Sequence, residues 1–150
     1  VLQVCGEQAR ITHDTPGGVR SAQAVALSAH YLLHRLGPKS ELPNYLENRI
    51  GGEWFDWQGS VGSAGMDSAR AALTSFGRHD SMRTMLKECI AWNGDVDTVA
   101  SLALGLAACT SEVRQDLPQV LHQNLEKGPY GLDYLEQLDR QLREHFLSGG

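Results

Sequence analysis

Residues 92–98 read Trp92-Asn93-Gly94-Asp95-Val96-Asp97-Thr98, a polar turn with two carboxylates that leads straight into an apolar run rich in alanine and glycine. Asp95, Asp97 and Thr98 set three oxygen donors within four positions. Carboxylate and hydroxyl oxygens suit hard cations such as Mg²⁺ or Mn²⁺, and the chain has no Cys/His cluster of the kind zinc selects. The same aspartates would also serve as plain helix caps, accepting from the first backbone N–H groups of the helix that follows. Spacing alone leaves both readings open.

Other residues carry weaker signals. His13, in Thr12-His13-Asp14, precedes Gly17 and Gly18, which let a backbone approach a phosphate or simply turn the chain. Its ring would equally satisfy a loop carbonyl. Trp54, Phe55 and Trp57 crowd a glycine-rich loop over Gly51 to Gly62, the kind of segment where function concentrates, although an aromatic trio also makes a small satellite core. Cys5, Cys89 and Cys109 are odd in number and lack CxxC spacing, so they read as reduced core thiols in a cytoplasmic protein.

These residues must be positioned by helices, because periodic segments have helical spacing and no long run alternates apolar with polar residues. The fold class is all-α. Ala22, Val25, Ala26, Ala29, Leu32, Leu33 and Leu36 form an i, i+3, i+4 stripe that Gly37 and Pro38 terminate. A shorter helix fits Ser40 to Ile50, and two more fit Ser63 to Phe76 and Ser81 to Trp92. The segment from Val96 to Thr110 is nearly apolar all round, which predicts a central helix packed on every side. Leu117 to Leu125, with Pro118 in its first turn, and Leu132 to Leu147 read as outer helices. The opening VLQVCGEQAR reads as the tail of a helix already under way. No repeat or linker divides residues 1–150, which are expected to form a single domain.

Composition narrows the partners. The 150 residues are 41% hydrophobic and 21% charged, enough to bury a core without disulfides or a structural metal. A net charge of −5 disfavours nucleic acid as the principal partner. The longest apolar stretch, Val96 to Cys109, is interrupted by Asp97, Thr98 and Ser101, so no membrane span is expected, and no signal peptide opens the chain.

Taken together, NGDVDTVASLALGLAAC resembles the aspartate-x-aspartate-threonine signature of the ADP-ribosylglycohydrolases, and QARITHDTP is similar to their Ala-x-x-Thr-His segment. MDSARAALTSF and Asp116-Leu117-Pro118 resemble further family elements, so the likeness covers essentially the whole sequence. In motif it is closest to the dinitrogenase-reductase-activating glycohydrolases. The resemblance implies an all-helical hydrolase with a dinuclear Mg²⁺ or Mn²⁺ centre, which cleaves the N-glycosidic bond of ADP-ribosylated arginine or a related conjugate. By position it makes Asp95, Asp97 and Thr98 metal ligands, with Asp97 touching both ions and catalytic. It places His13, Asn93 and Gly94 beside the ADP-ribose, and Asp67 in a supporting or merely exposed role. The aromatic residue that many members carry before the MDSARAAL-like helix is missing at Ser63-Ala64-Gly65.

The family's glycine-aspartate segment and its threonine-aspartate-aspartate-threonine motif do not occur in these 150 residues. The likeness is therefore to the C-terminal half of the fold. It predicts an incomplete metal site and an exposed apolar face, covered by an N-terminal half chain or by self-association. A non-catalytic module that binds ADP-ribose or a protein partner is the alternative.

Overall fold

A computed structural model describes residues 1–147, with side chains through His145. Eight α-helices follow one another: α1 (Leu2–Arg10), α2 (Pro16–Leu33), α3 (Leu42–Ile50), α4 (Gly65–Arg78), α5 (Met82–Ala91), α6 (Val96–Ala108), α7 (Gln119–Gln123) and α8 (Leu132–Leu147). A single 3₁₀ turn, Lys39–Glu41, precedes α3. Among the described residues there is no strand, only isolated bridges joining Val61 to Gly94 and Ser81 to Arg114, so the fold is all-α. No helix among them is long and apolar enough to cross a membrane. The chain forms two compact units, Val1–Asp116 with α1 to α6 and Leu117–Gly150 with α7 and α8.

Local chemistry sets several boundaries. Thr15 stands at the N-cap of α2, where its Oγ1 accepts from the Gly18 N–H, and Pro16 fills the first turn. Ser81 caps α5 by accepting from Thr84 N–H, and donates its own hydroxyl proton to Asp116. Asp116 also accepts from the Arg83 N–H at 3.1 Å, so the last residue of the first unit secures the start of α5. In the second unit Pro118 is the N-cap of α7 rather than part of its first turn.

The enclosed helix of the first unit is α4. Ser68, Ala69 and the run Ala71 to Phe76 are all buried, because α2, α5 and α6 each pack against it. Its small residues let three neighbours approach at once. The expectation of a central α6 packed on every side is corrected: α6 buries Val99, Ala103, Leu106 and Ala107, while Thr98, Ser101, Gly105 and Ala108 are exposed. Apolar composition specifies that a helix can be buried, and only its neighbours determine how much of its circumference is.

The core face of α2 is also not the stripe read from the sequence. Ser21, Ala24, Leu27, Ser28, Tyr31 and Leu32 are buried, whereas Ala22, Val25, Ala26 and Ala29 are half-buried and Leu33 and Leu36 are 64% and 52% exposed. The mistaken register has a simple cause. Ser21 and Ser28 satisfy their hydroxyls on the carbonyls of Gly18 and Ala24, which lets two polar residues sit inside.

One ionic link holds the periphery of the unit together. Lys39 is only 8% exposed, and its Nζ donates to the His79 carbonyl at 2.8 Å and to Asp80 at 2.6 Å. Its ammonium lies 5.3 Å from the Phe76 ring centre, and its backbone N–H donates to Glu112. Three distant stretches of chain therefore meet at one residue.

Candidate functional site

The carboxylate turn is built by two consecutive residues in the left-handed region, Asn93 at φ +60° and Gly94 at φ +84°. They reverse the chain between α5 and α6. Val61, from the loop before α4, clamps the turn: its N–H donates to the Asn93 carbonyl at 3.1 Å, and its carbonyl accepts from Asp95 N–H at 3.3 Å. A Cβ at residue 94 would collide with the Val61 carbonyl, so both the conformation and the close approach require glycine.

Asp95 occupies the N-cap position of α6, yet its side chain makes no capping hydrogen bond. Its Oδ2 instead accepts from Ser68 Oγ of α4 at 3.1 Å. Its carboxyl is held below the usual range, foremost by the side chain of Thr98 and then by those of Ser68 and Asp97, against the opposing effect of desolvation. The Thr98 N–H adds a smaller contribution. Asp97 lies in the first turn of α6, exposed, where the positive end of the helix favours a negative charge.

Asp95 and Thr98 open onto a cavity of about 910 Å³. Cys5 and Ala9 of α1, Val25 and Ala29 of α2, and Leu102 of α6 give it apolar walls, and Ser68 lines it from α4. His13 lines it from the α1–α2 loop, its Nδ1 lying 2.9 Å from Thr12 Oγ1. A second recess of about 500 Å³, between Arg10, Arg20 and Ile50, contains the Arg10–Asp14 ion pair but none of the turn's oxygens. The larger cavity is where the chemistry-bearing side chains converge. Its size is within the range of small-molecule sites.

The structure therefore brings Asp95, Thr98 and His13 to one cavity, and Asp97, in the same turn, does not line it. Asn93 and Gly94 do not line it either. The Asn93 amide donates to the Ala91 carbonyl, and Gly94 is pressed on Val61, so both shape the turn from outside. The aromatic trio also lies away from it. Trp54 is buried with its indole N–H on the Gly51 carbonyl, Phe55 packs on Gly77, and the Trp57 N–H donates to Thr74. Only Trp54 of the three is buried.

Two carboxylates and a hydroxyl are a donor set that fits a hard cation. Among the described residues no group of three or more His, Cys, Asp or Glu side chains comes together to hold a metal ion. The turn by itself thus supplies only part of a cation's shell. Cys5 and Cys109 are half-buried and Cys89 is buried, all three are free thiols, and burial pushes each pKa up.

Sequence reading missed Val61 and Ser68. A valine that acts through its backbone leaves no side-chain signal, and a serine on a helix gives only a faint one. A family model described as ADP-ribosylglycohydrolase matches residues 1–149. Searches of the curated proteins and of the solved structures gave no match.

Proposed function

The chain belongs to the ADP-ribosylglycohydrolase family, and on that premise we propose that it takes part in hydrolysing the N-glycosidic bond between ADP-ribose and an arginine side chain or a related acceptor. Family membership supports a hydrolase of ADP-ribose conjugates. The observation that carries the finer reading is the convergence of Asp95, Thr98 and His13 on one cavity of about 910 Å³.

Asp95, Asp97 and Thr98 would hold Mg²⁺ or Mn²⁺. A bound pair supplies charge that orients a ribose hydroxyl and a nucleophilic water. Around it this chain's own residues would bind and orient the substrate. His13 would contact the ADP-ribose, the walls of Val25, Ala29 and Leu102 would keep bulk water from its apolar parts, and the carboxylates would face the positive charge that develops on the ribose ring. Three free thiols suit a reducing compartment, the cytoplasm.

A second reading rests on a specific observation. Asp97, the carboxylate that the family likeness makes catalytic, does not line the cavity, which favours a module that binds ADP-ribose without cleaving it. A partner half chain or a second copy would then cover exposed apolar positions such as Leu33 and Leu36.

ADP-ribose release from an ADP-ribosylated arginine peptide separates these readings. It is measured with the 150-residue chain alone and with a chain that carries the missing motif, beside calorimetric ADP-ribose binding. Binding by the chain alone, with release only in the mixture, is the expected result. Release by the chain alone at about 1 s⁻¹, a typical enzymatic rate, overturns the incomplete site. Binding without release in any mixture supports the module, and no binding at all overturns both.

A further inference from the structure

We propose that Ser68 is a positioning residue for Asp95, and that its hydroxyl aims the Asp95 carboxylate at the cation. This rests on the reading of Asp95 as a metal ligand. Ser68 is 1% exposed, on the inner face of α4, and it is the one side chain of that helix that reaches the carboxylate turn by a hydrogen bond. Of the other buried helical hydroxyls in the unit, Ser75 reaches the Met85 carbonyl of α5, a neutral acceptor, and the rest turn back on their own helix. Ser21 donates to Gly18, Ser28 to Ala24 and Thr74 to Arg70. Ser68 could satisfy itself in the same way on the carbonyl of Ala64, and instead donates across to α6.

The consequence is geometric. A hydroxyl has one proton, and giving it to Oδ2 leaves Oδ1 and the remaining lone pair of Oδ2 for a cation. The backbone of Asp95 is fixed separately by Val61, so what Ser68 restrains, together with the Thr98 side chain, is torsion about the side-chain bonds. Without it the carboxylate can rotate onto the free N–H groups of α6 as an ordinary cap, which competes with coordination. Partners of this kind, one bond removed from the metal, change affinity by about 10–100-fold when they are lost.

Mn²⁺ is the probe, and its paramagnetic broadening of amide resonances near residue 95 gives a dissociation constant for the full 150-residue chain, even when binding is weak. Ser68→Ala should weaken Mn²⁺ binding by about tenfold in the folded chain, apart from a modest fall in thermal midpoint in EDTA from the lost hydrogen bond. Ser68→Thr keeps the hydroxyl, so affinity should return at least in part. In an Asp95→Asn background, Ser68→Ala should cost nothing further.

The outcomes separate the two levels of inference. Loss of Mn²⁺ binding in Asp95→Asn with no loss in Ser68→Ala overturns the role of Ser68 alone. Equal loss in Ser68→Ala and Ser68→Thr, or an equal further loss in the Asp95→Asn background, also overturns it. No Mn²⁺ broadening near residue 95 of the unsubstituted chain, or undiminished broadening in Asp95→Asn, overturns the metal reading beneath it.

Discussion

Gly94→Ala tests whether the clamp on the carboxylate turn matters as its geometry demands. Gly94 has φ +84°, and a Cβ there would collide with the Val61 carbonyl, whose carbon lies 2.9 Å from the Cβ position. The obstacle is backbone, so relief must come from breaking the two hydrogen bonds between Val61 and residues 93 and 95. Left-handed backbone in a non-glycine residue costs about 1–2 kcal/mol. Two lost backbone hydrogen bonds add about 1–3 kcal/mol, at about 0.5–1.5 kcal/mol each. The sum, about 2–5 kcal/mol, lowers the thermal midpoint by about 4–20 °C for a domain of this size, at about 2–4 °C per kcal/mol. Gly59→Ala is the internal control. Its φ is +87°, but nothing lies within 4 Å of its Cβ position, so it carries the backbone cost alone. Calorimetric scans of both variants decide the matter. The clamp is refuted if Gly94→Ala loses no more than Gly59→Ala.

Asp97→Asn should abolish the rise in thermal midpoint that saturating Mg²⁺ or Mn²⁺ gives the unsubstituted chain, worth about 2.7 kcal/mol at 100 times the dissociation constant. An equal rise in both versions would leave Asp97 as an ordinary helix-terminal charge. Lys39→Met should lower stability by about 1–3 kcal/mol in urea melts at pH 7, because the buried His79 carbonyl loses its donor. Asp80, held below the usual carboxylate range foremost by its hydrogen bond from Lys39, contributes stability above its unfolded pKa that is lost as pH falls through the lower folded value. The fall in stability from about pH 4 downward should therefore be shallower in Lys39→Met. Leu27→Ala, at a position 4% exposed, should cost about 2–5 kcal/mol, whereas Leu33→Ala, at 64% exposure, should cost under about 0.5 kcal/mol. Comparable losses from the two would contradict the observed face of α2.

Helical periodicity, capping residues and glycine breaks are local signals, so the number and order of the helices were legible in the residues. So was the cysteine chemistry. The DVDT turn was legible as three oxygen donors ahead of an apolar run, although the same residues also read as ordinary helix caps. The buried face of α2 was not legible, because Ser21 and Ser28 become core residues only by bonding to their own helix.

By itself the sequence determined an all-α chain, its helix boundaries to within a few residues, and three oxygen donors at residues 95, 97 and 98. Only tertiary structure decided that α4 rather than α6 is enclosed, that one side of α6 stays open, and that Asn93 and Gly94 shape the turn instead of facing the cavity. It alone brought Ser68, 27 residues away, to Asp95, and Val61 to the turn. The physical reason is range. Propensity and capping act within a few residues and are written locally, whereas burial and hydrogen-bond partners depend on which helix faces meet.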